Sequence, residues 1–206
     1  NDFTSEIVYK LTNVSNPTFG PDGTKVAFVK SRIDQETMET STFVMVVDLD
    51  TREIHRFTRG ANDSEPKYSP DGNYLAFLRP DDHERKQIWI IPTSGGEAVK
   101  LTNLTGGASE LSWSPDSLAI AFISDVNPDQ LPDDHNPKIV PQVREVHRIR
   151  YRADGIGWRG ESFRHVFVVD ITSSKIRQVT CGEGEDSAPS WAPNGTKIGF
   201  ISDRGE

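Results

Sequence analysis

Four times in this chain an aromatic residue is followed nine positions later by phenylalanine, each time around a proline-centred turn. The segments run Pro17-Thr18-Phe19-Gly20-Pro21-Asp22-Gly23 to Phe28, and Pro66-Lys67-Tyr68-Ser69-Pro70-Asp71-Gly72 to Phe77. They recur as Leu111-Ser112-Trp113-Ser114-Pro115-Asp116-Ser117 to Phe122, and Pro189-Ser190-Trp191-Ala192-Pro193-Asn194-Gly195 to Phe200. A second fixed interval, of fourteen residues, separates Val44 from Thr58, Ile88 from Thr102 and Val166 from Thr180. Two independent constant spacings do not arise from composition. They mark a repeated supersecondary unit.

Each unit reads as strands. Proline presets φ, aspartate bonds nearby backbone and glycine accepts positive φ, so Pro-Asp-Gly suits a reverse turn. It joins a short strand ending at the aromatic to an apolar strand such as Lys25-Val26-Ala27-Phe28-Val29. A β-branched run follows, as in Val44-Met45-Val46-Val47. A turn then leads to a fourth strand ending in Leu-Thr or its like. Four strands per repeat of about 45 residues predict all-β blades of antiparallel strands, three to four blades of a propeller. The blades are expected near residues 16–58, 65–102 and 110–180, the last with an insertion at 125–160, and an incomplete blade at 188–206. Residues 7–12 are expected to be a fourth strand, and the four repeat phenylalanines to occupy equivalent buried positions. An open stack exposes a sheet face, so the chain is expected to be part of a longer propeller.

Composition narrows the functional classes. The formal charge is −8, with 23 basic against 31 acidic side chains, which disfavours nucleic-acid binding. Cys181 is the single cysteine, so neither an intrachain disulfide nor a cysteine zinc site is available. No apolar run reaches the roughly 20 residues of a membrane-spanning helix. The first residues lack the basic and apolar regions of a secretory signal, so a cytoplasmic location and no membrane partner are expected.

The aromatic-Ser-Pro-Asp-Gly repeat ending in Ala-Phe resembles the PD40-type repeats of TolB and of prolyl-oligopeptidase-family serine peptidases. The third unit is the more specific. Phe122 and Val166 are 44 residues apart, against 11 between Phe77 and Ile88. The added stretch holds Arg148-Ile149-Arg150-Tyr151-Arg152-Ala153-Asp154-Gly155-Ile156-Gly157-Trp158 and resembles the propeller of the acylaminoacyl-peptidase branch. That resemblance implies a seven-bladed propeller covering a C-terminal α/β-hydrolase domain and restricting its access to oligopeptides. The implied partners are that hydrolase domain and an oligopeptide substrate; self-association into a homo-oligomer stays open. A TolB-like or stand-alone interaction module is the alternative, and would carry an export signal upstream.

No catalytic residue is assigned. The nearest approach to Gly-x-Ser-x-Gly, Gly160-Glu161-Ser162-Phe163-Arg164, lacks the second glycine. The five histidines are scattered, so no metal and no cofactor is expected. Asp22, Asp71 and Asp116 belong to turns, and Cys181 has no activating neighbour in sequence. The insertion is the best candidate for function. Its first half is acidic, with Asp125, Asp129, Asp133 and Asp134; its second is basic, with Lys138, Arg144, Arg148, Arg150, Arg152, Arg159 and Arg164. Arg148, Arg150, Tyr151 and Arg152 are the residues expected to face substrate or a partner domain, since guanidinium groups bind carboxylates bidentately. Pairing of these arginines with the acidic half of the insertion is the competing expectation.

Overall fold

The computed structural model describes residues 5–127, 152–153, 157–158 and 162–204. Three antiparallel sheets of four strands each follow one another along the chain. The first holds β1 (Asn13–Phe19), β2 (Lys25–Ile33), β3 (Thr40–Asp48) and β4 (Ile54–Arg56). The second holds β5 (Ser64–Tyr68), β6 (Tyr74–Pro80), β7 (Lys86–Pro92) and β8 (Val99–Lys100). The third takes β9 (Ser109–Trp113) and β10 (Ala119–Val126), then, past the two-residue strands β11 (Arg152–Ala153) and β12 (Gly157–Trp158), β13 (Phe163–Asp170) and β14 (Ile176–Gln178). A final pair, β15 (Asp186–Trp191) and β16 (Ile198–Ser202), begins a fourth sheet. These are partial propeller blades.

Local chemistry fixes the first turn of every sheet. Gly23, Gly72 and Gly195 take φ of 72°, 74° and 71°, where a side chain is disfavoured. Ser117 stands in the same place at 62° and uses its hydroxyl across the junction, accepting from Asp71 N at 3.0 Å. Asp71 accepts from Ser69 Oγ at 2.5 Å and Asn73 N at 3.1 Å, and Asp116 from Ser114 Oγ at 2.6 Å and Leu118 N at 3.0 Å. The serine hydroxyls foremost hold both carboxyls below the ordinary range, so the aspartates are turn anchors.

The fourteen-residue interval is a hydrogen bond. Thr58, Thr102 and Thr180 each accept through Oγ1 from the backbone N–H fourteen residues earlier, at 3.3, 2.9 and 2.9 Å. A backbone N–H within each apolar third strand is thereby satisfied where the short fourth strand has ended.

First strands carry a second repeated feature. Asn16, Glu65, Glu110 and Ala188, each three residues before the aromatic, lie at φ of 50–55°, and the ladder to the second strand shifts register there. These are β-bulges held in a conformation that costs a non-glycine residue about 1 kcal/mol. The bulged strands converge: β1 lies against β5, β5 against β9 and β9 against β15. Two apolar clusters fill the junctions. Ala27, Val44 and Val46 meet Leu75, Phe77 and Ile91 between the first two sheets. Ala76, Leu78, Ile88 and Ile90 meet Trp113, Ile120 and Phe122 between the second and third.

Two expectations need correction. Residues 7–12 are not a strand: Ser5–Lys10 is a 3₁₀ helix, closed by Leu11 N bonding to Ile7 O at 3.2 Å. The first sheet already has its four strands, and among the described residues no third strand of another sheet pairs with this segment, which satisfies its backbone locally. The four repeat phenylalanines do share the second strand, but burial differs. Phe77 and Phe122 are fully buried; Phe28 is half-buried on the outward face of the first sheet, and Phe200 is exposed on the edge strand β16. Among the described residues no helix is long and apolar enough to cross a membrane.

Candidate functional site

Antiparallel order sends successive connections to opposite ends of each sheet. The Pro-Asp-Gly turns therefore share one end, and the β2–β3, β6–β7 and β10–β13 connections share the other. The first two of these are short, residues 34–39 and 81–85, whereas the third spans 127–162. At its root lies a cleft of about 530 Å³ between the second and third sheets.

Three elements wall the cleft: the β6–β7 turn with Glu84, Arg85 and Lys86, the inter-sheet linker through Gly106 and Gly107, and the ends of β10 and β13 with Asp125 and Arg164. Glycine is required in the linker. A Cβ at Gly106 would run into the Asp125 carbonyl, and Gly107 has φ of 68° with the Lys86 carbonyl 3.2 Å from its Cβ position. Arg85 is fixed by Asp81, whose Oδ2 lies 3.2 Å from Nε. Gln87, fully buried beneath, accepts from Thr102 Oγ1 at 2.9 Å and Leu104 N at 3.0 Å and donates to Leu104 O at 2.8 Å. Gln87 thus anchors the turn through a satisfied polar network, and the cleft wall carries both signs of charge, Glu84 and Asp125 beside Arg85, Lys86 and Arg164.

Arg164 joins this end to the bulged strands. Its guanidinium pairs with Glu110 Oε1, and its backbone N–H donates to Glu185 Oε2 at 3.1 Å. Glu110 accepts from Ala188 N at 2.5 Å through its other oxygen, while its own N–H donates to Glu65 Oε2 at 3.2 Å. Behind it, Asp186 is wholly buried among Arg204, Thr180 and His165. Arg204 donates to both its oxygens at 2.8 Å, Thr180 Oγ1 donates at 2.5 Å, and His165 Nδ1 lies at 3.3 Å. Burial pushes the Asp186 carboxyl up, but the bonds from Thr180 and Arg204 outweigh it and hold the group below its usual range. Asp63 is buried in the same way and grips Arg79 bidentately at 2.7 and 2.9 Å. These pairs are structural clamps.

Of the residues singled out in sequence, Arg148, Arg150 and Tyr151 lie outside the described residues. Arg152 sits on β11, opposite Trp158 of β12, and only its backbone is described. Asp133 and Asp134 are likewise outside. Glu110 and Asp186 escaped the sequence reading. One signal was available for the first: Glu65 and Glu110 hold the same place in successive repeats. Cys181 is exposed, and among the described residues no three His, Cys, Asp or Glu side chains gather as a metal site.

Comparison with known proteins places this geometry. The family described as TolB beta propeller domain, PD40, matches residues 4–131. The uncharacterized peptidase YuxL of Bacillus subtilis is 28% identical over 96% of the chain, which spans 30% of that protein. The Tol-Pal system protein TolB of Nitratidesulfovibrio vulgaris is 33% identical over 63% of the chain, which spans 31% of it. The acylaminoacyl peptidase of Pyrococcus horikoshii superposes with a TM-score of 0.70 at 17% identity, covering 88% of this chain and 27% of that one. The chain thus spans about a third of the curated relatives it matches. Repeats, turns and sheets agree with the family match over more than half its length: the chain belongs to the PD40 family of TolB-type β-propeller domains.

Proposed function

We propose that this chain is the propeller segment of an oligopeptide-cleaving serine peptidase of the acylaminoacyl- or dipeptidyl-peptidase kind, and that the end bearing the cleft meets either the hydrolase domain or the peptide. One observation carries the proposal: the likeness to a peptidase runs over 96% of the chain, across the long β10–β13 connection, whereas the likeness to TolB covers 63%. Lys86 on the cleft wall, with Arg148, Arg150 and Arg152 in the connection between β10 and β13, suits carboxylates of a peptide or of an acidic domain face, while Arg85 and Arg164 on the same wall are held by Asp81 and Glu110.

The test uses the protein encoded by the complete gene. A serine-directed fluorophosphonate is expected to label it, and Arg150→Ala and Arg152→Ala are expected to lower kcat/KM for oligopeptides about tenfold. The controls are Arg52→Ala, in the β3–β4 turn at the opposite end, and Arg177→Ala, on the exposed strand β14. Arg85 lines the cleft and does not serve as a control. Equal kcat/KM across the four variants would remove the functional role of the connection; absence of labelling would favour a TolB-like interaction module.

A further inference from the structure

Asn194 is the only asparagine of the chain that precedes glycine, and it stands where the other three turns carry Asp22, Asp71 and Asp116. An Asn-Gly pair is open to cyclisation, because the glycine brings no side chain to shield its own amide nitrogen. The first turn is the internal reference. Asp22-Gly23-Thr24-Lys25 and Asn194-Gly195-Thr196-Lys197 differ only in the first residue. Thr24 donates its N–H to Asp22 Oδ1 at 3.0 Å and its hydroxyl to Asp22 Oδ2 at 2.9 Å. Thr196 makes the same two donations, at 3.1 and 2.8 Å, but both fall on Asn194 Oδ1, since Nδ2 is a donor and accepts nothing.

These contacts set the reactivity of the pair. Two donors on Oδ1 draw electron density from the Asn194 carbonyl and leave Cγ electrophilic. The nucleophile that would attack it, Gly195 N, is committed elsewhere: its N–H donates to Ala192 O at 2.8 Å, with φ held at 71°. Asn194 and Thr196 are exposed, so water reaches the turn and only the Gly195 bond keeps the partners apart.

We propose that Asn194-Gly195 is a latent self-modification site, closed by the turn, unmasked by local opening of the β15–β16 hairpin, and yielding an aspartyl product that the turn accepts. Opening frees Gly195 N. Solvent base removes its proton, the nitrogen bonds to Asn194 Cγ, the Cγ–Nδ2 bond breaks, and Nδ2 leaves as ammonia. Water then adds to one of the two carbonyls of the resulting succinimide and cleaves that carbonyl's bond to the ring nitrogen. One water is consumed and one ammonia released, with no oxidant or reductant. Cleavage on the side-chain side gives the aspartyl form, which offers Thr196 a second acceptor as Asp22 does for Thr24. Cleavage on the main-chain side gives the isoaspartyl form, which lengthens the backbone by a methylene group and pulls Gly195 N away from Ala192 O. The inference is independent of the peptidase proposal, because it uses only the turn.

The test follows amide loss at Asn194 by peptide mass mapping of the complete gene's product, incubated in mildly alkaline buffer either folded or unfolded in guanidinium chloride. Loss is expected to be at least about tenfold slower in the folded protein. Pro193→Gly removes the preset φ of the turn and is expected to raise the folded rate at least about threefold while leaving the denatured rate within about twofold. Asn194→Asp is expected to keep or raise the Tm. Equal rates in folded and denatured protein, or a folded rate untouched by Pro193→Gly, would overturn the gating by the turn. No amide loss at Asn194 in denaturant would overturn the site itself. A fall in Tm of more than about 2 °C in Asn194→Asp would overturn the acceptance of the aspartyl product.

Discussion

Thr102 shows how much one side chain can carry where a short fourth strand ends. Its hydroxyl accepts from Ile88 N at 2.9 Å and donates to Gln87 Oε1 at 2.9 Å, and it is 2% exposed. Valine preserves the shape and removes both bonds. It leaves a buried N–H and a buried amide oxygen short of partners, which costs about 1–3 kcal/mol. Thr102→Val is therefore expected to lower the unfolding free energy by that amount, read as a lower urea midpoint at an unchanged slope. Thr51→Val, in an exposed turn, should stay within about 0.5 kcal/mol. Equal midpoints for the two variants would mean that the fourteen-residue spacing reflects backbone pairing alone. The spacing itself was legible in the sequence. The bond that enforces it was not, because a constant interval names two positions without saying which atoms meet.

At the scale of a strand, the left-handed bulges were invisible in sequence. Only Glu65 and Glu110 share a residue type, with Asn16 and Ala188 at the same place in the other repeats, and bulges are specified by a ladder with a neighbour that a linear reading does not see. Their side chains divide them into two kinds. Glu110 uses its carboxylate on Arg164 and on Ala188 N, whereas Ala188 has only a methyl group. Glycine relieves the left-handed conformation at both positions, but removes interactions at one. Ala188→Gly is expected to leave stability unchanged or raise it by up to about 1 kcal/mol. Glu110→Gly is expected to lower it by about 1 kcal/mol, the ion pair being discounted for partial exposure. Thermal unfolding of both variants checks the opposite signs; a matching sign would show that strain, and not the inter-sheet contact, dominates the bulge. The residues 7–12 taught a related lesson. Alternation of Ile7, Tyr9 and Leu11 suits a strand, yet a strand forms only where a partner edge is free.

Across the whole molecule, the sheet order and turn ends followed from the repeat, and the cleft followed from neither repeat nor composition, because it arises where a linker, a turn and two strand ends converge. The long connection is expected to be separable from the fold it interrupts. β10 and β13 pair over eight residues, from Ala119 opposite Asp170 to Val126 opposite Phe163, and Phe122 stacks on Phe167 with ring centroids 5.8 Å apart. That ladder closes the loop whatever the loop contains. Replacing residues 128–161 by a turn like that at 81–85 shortens the connection by roughly three halvings, which lowers its closure cost by about 2 kcal/mol. Arg164 and its partners Glu110 and Glu185 are kept. The shortened chain is expected to unfold cooperatively, with Tm equal to or up to about 8 °C above that of the parent chain. In the product of the complete gene the same replacement is expected to impair oligopeptide turnover far more than stability. A drop in Tm, or loss of a single cooperative transition, would show instead that the connection is part of the core of the third sheet, and its arginines would then be read as structural.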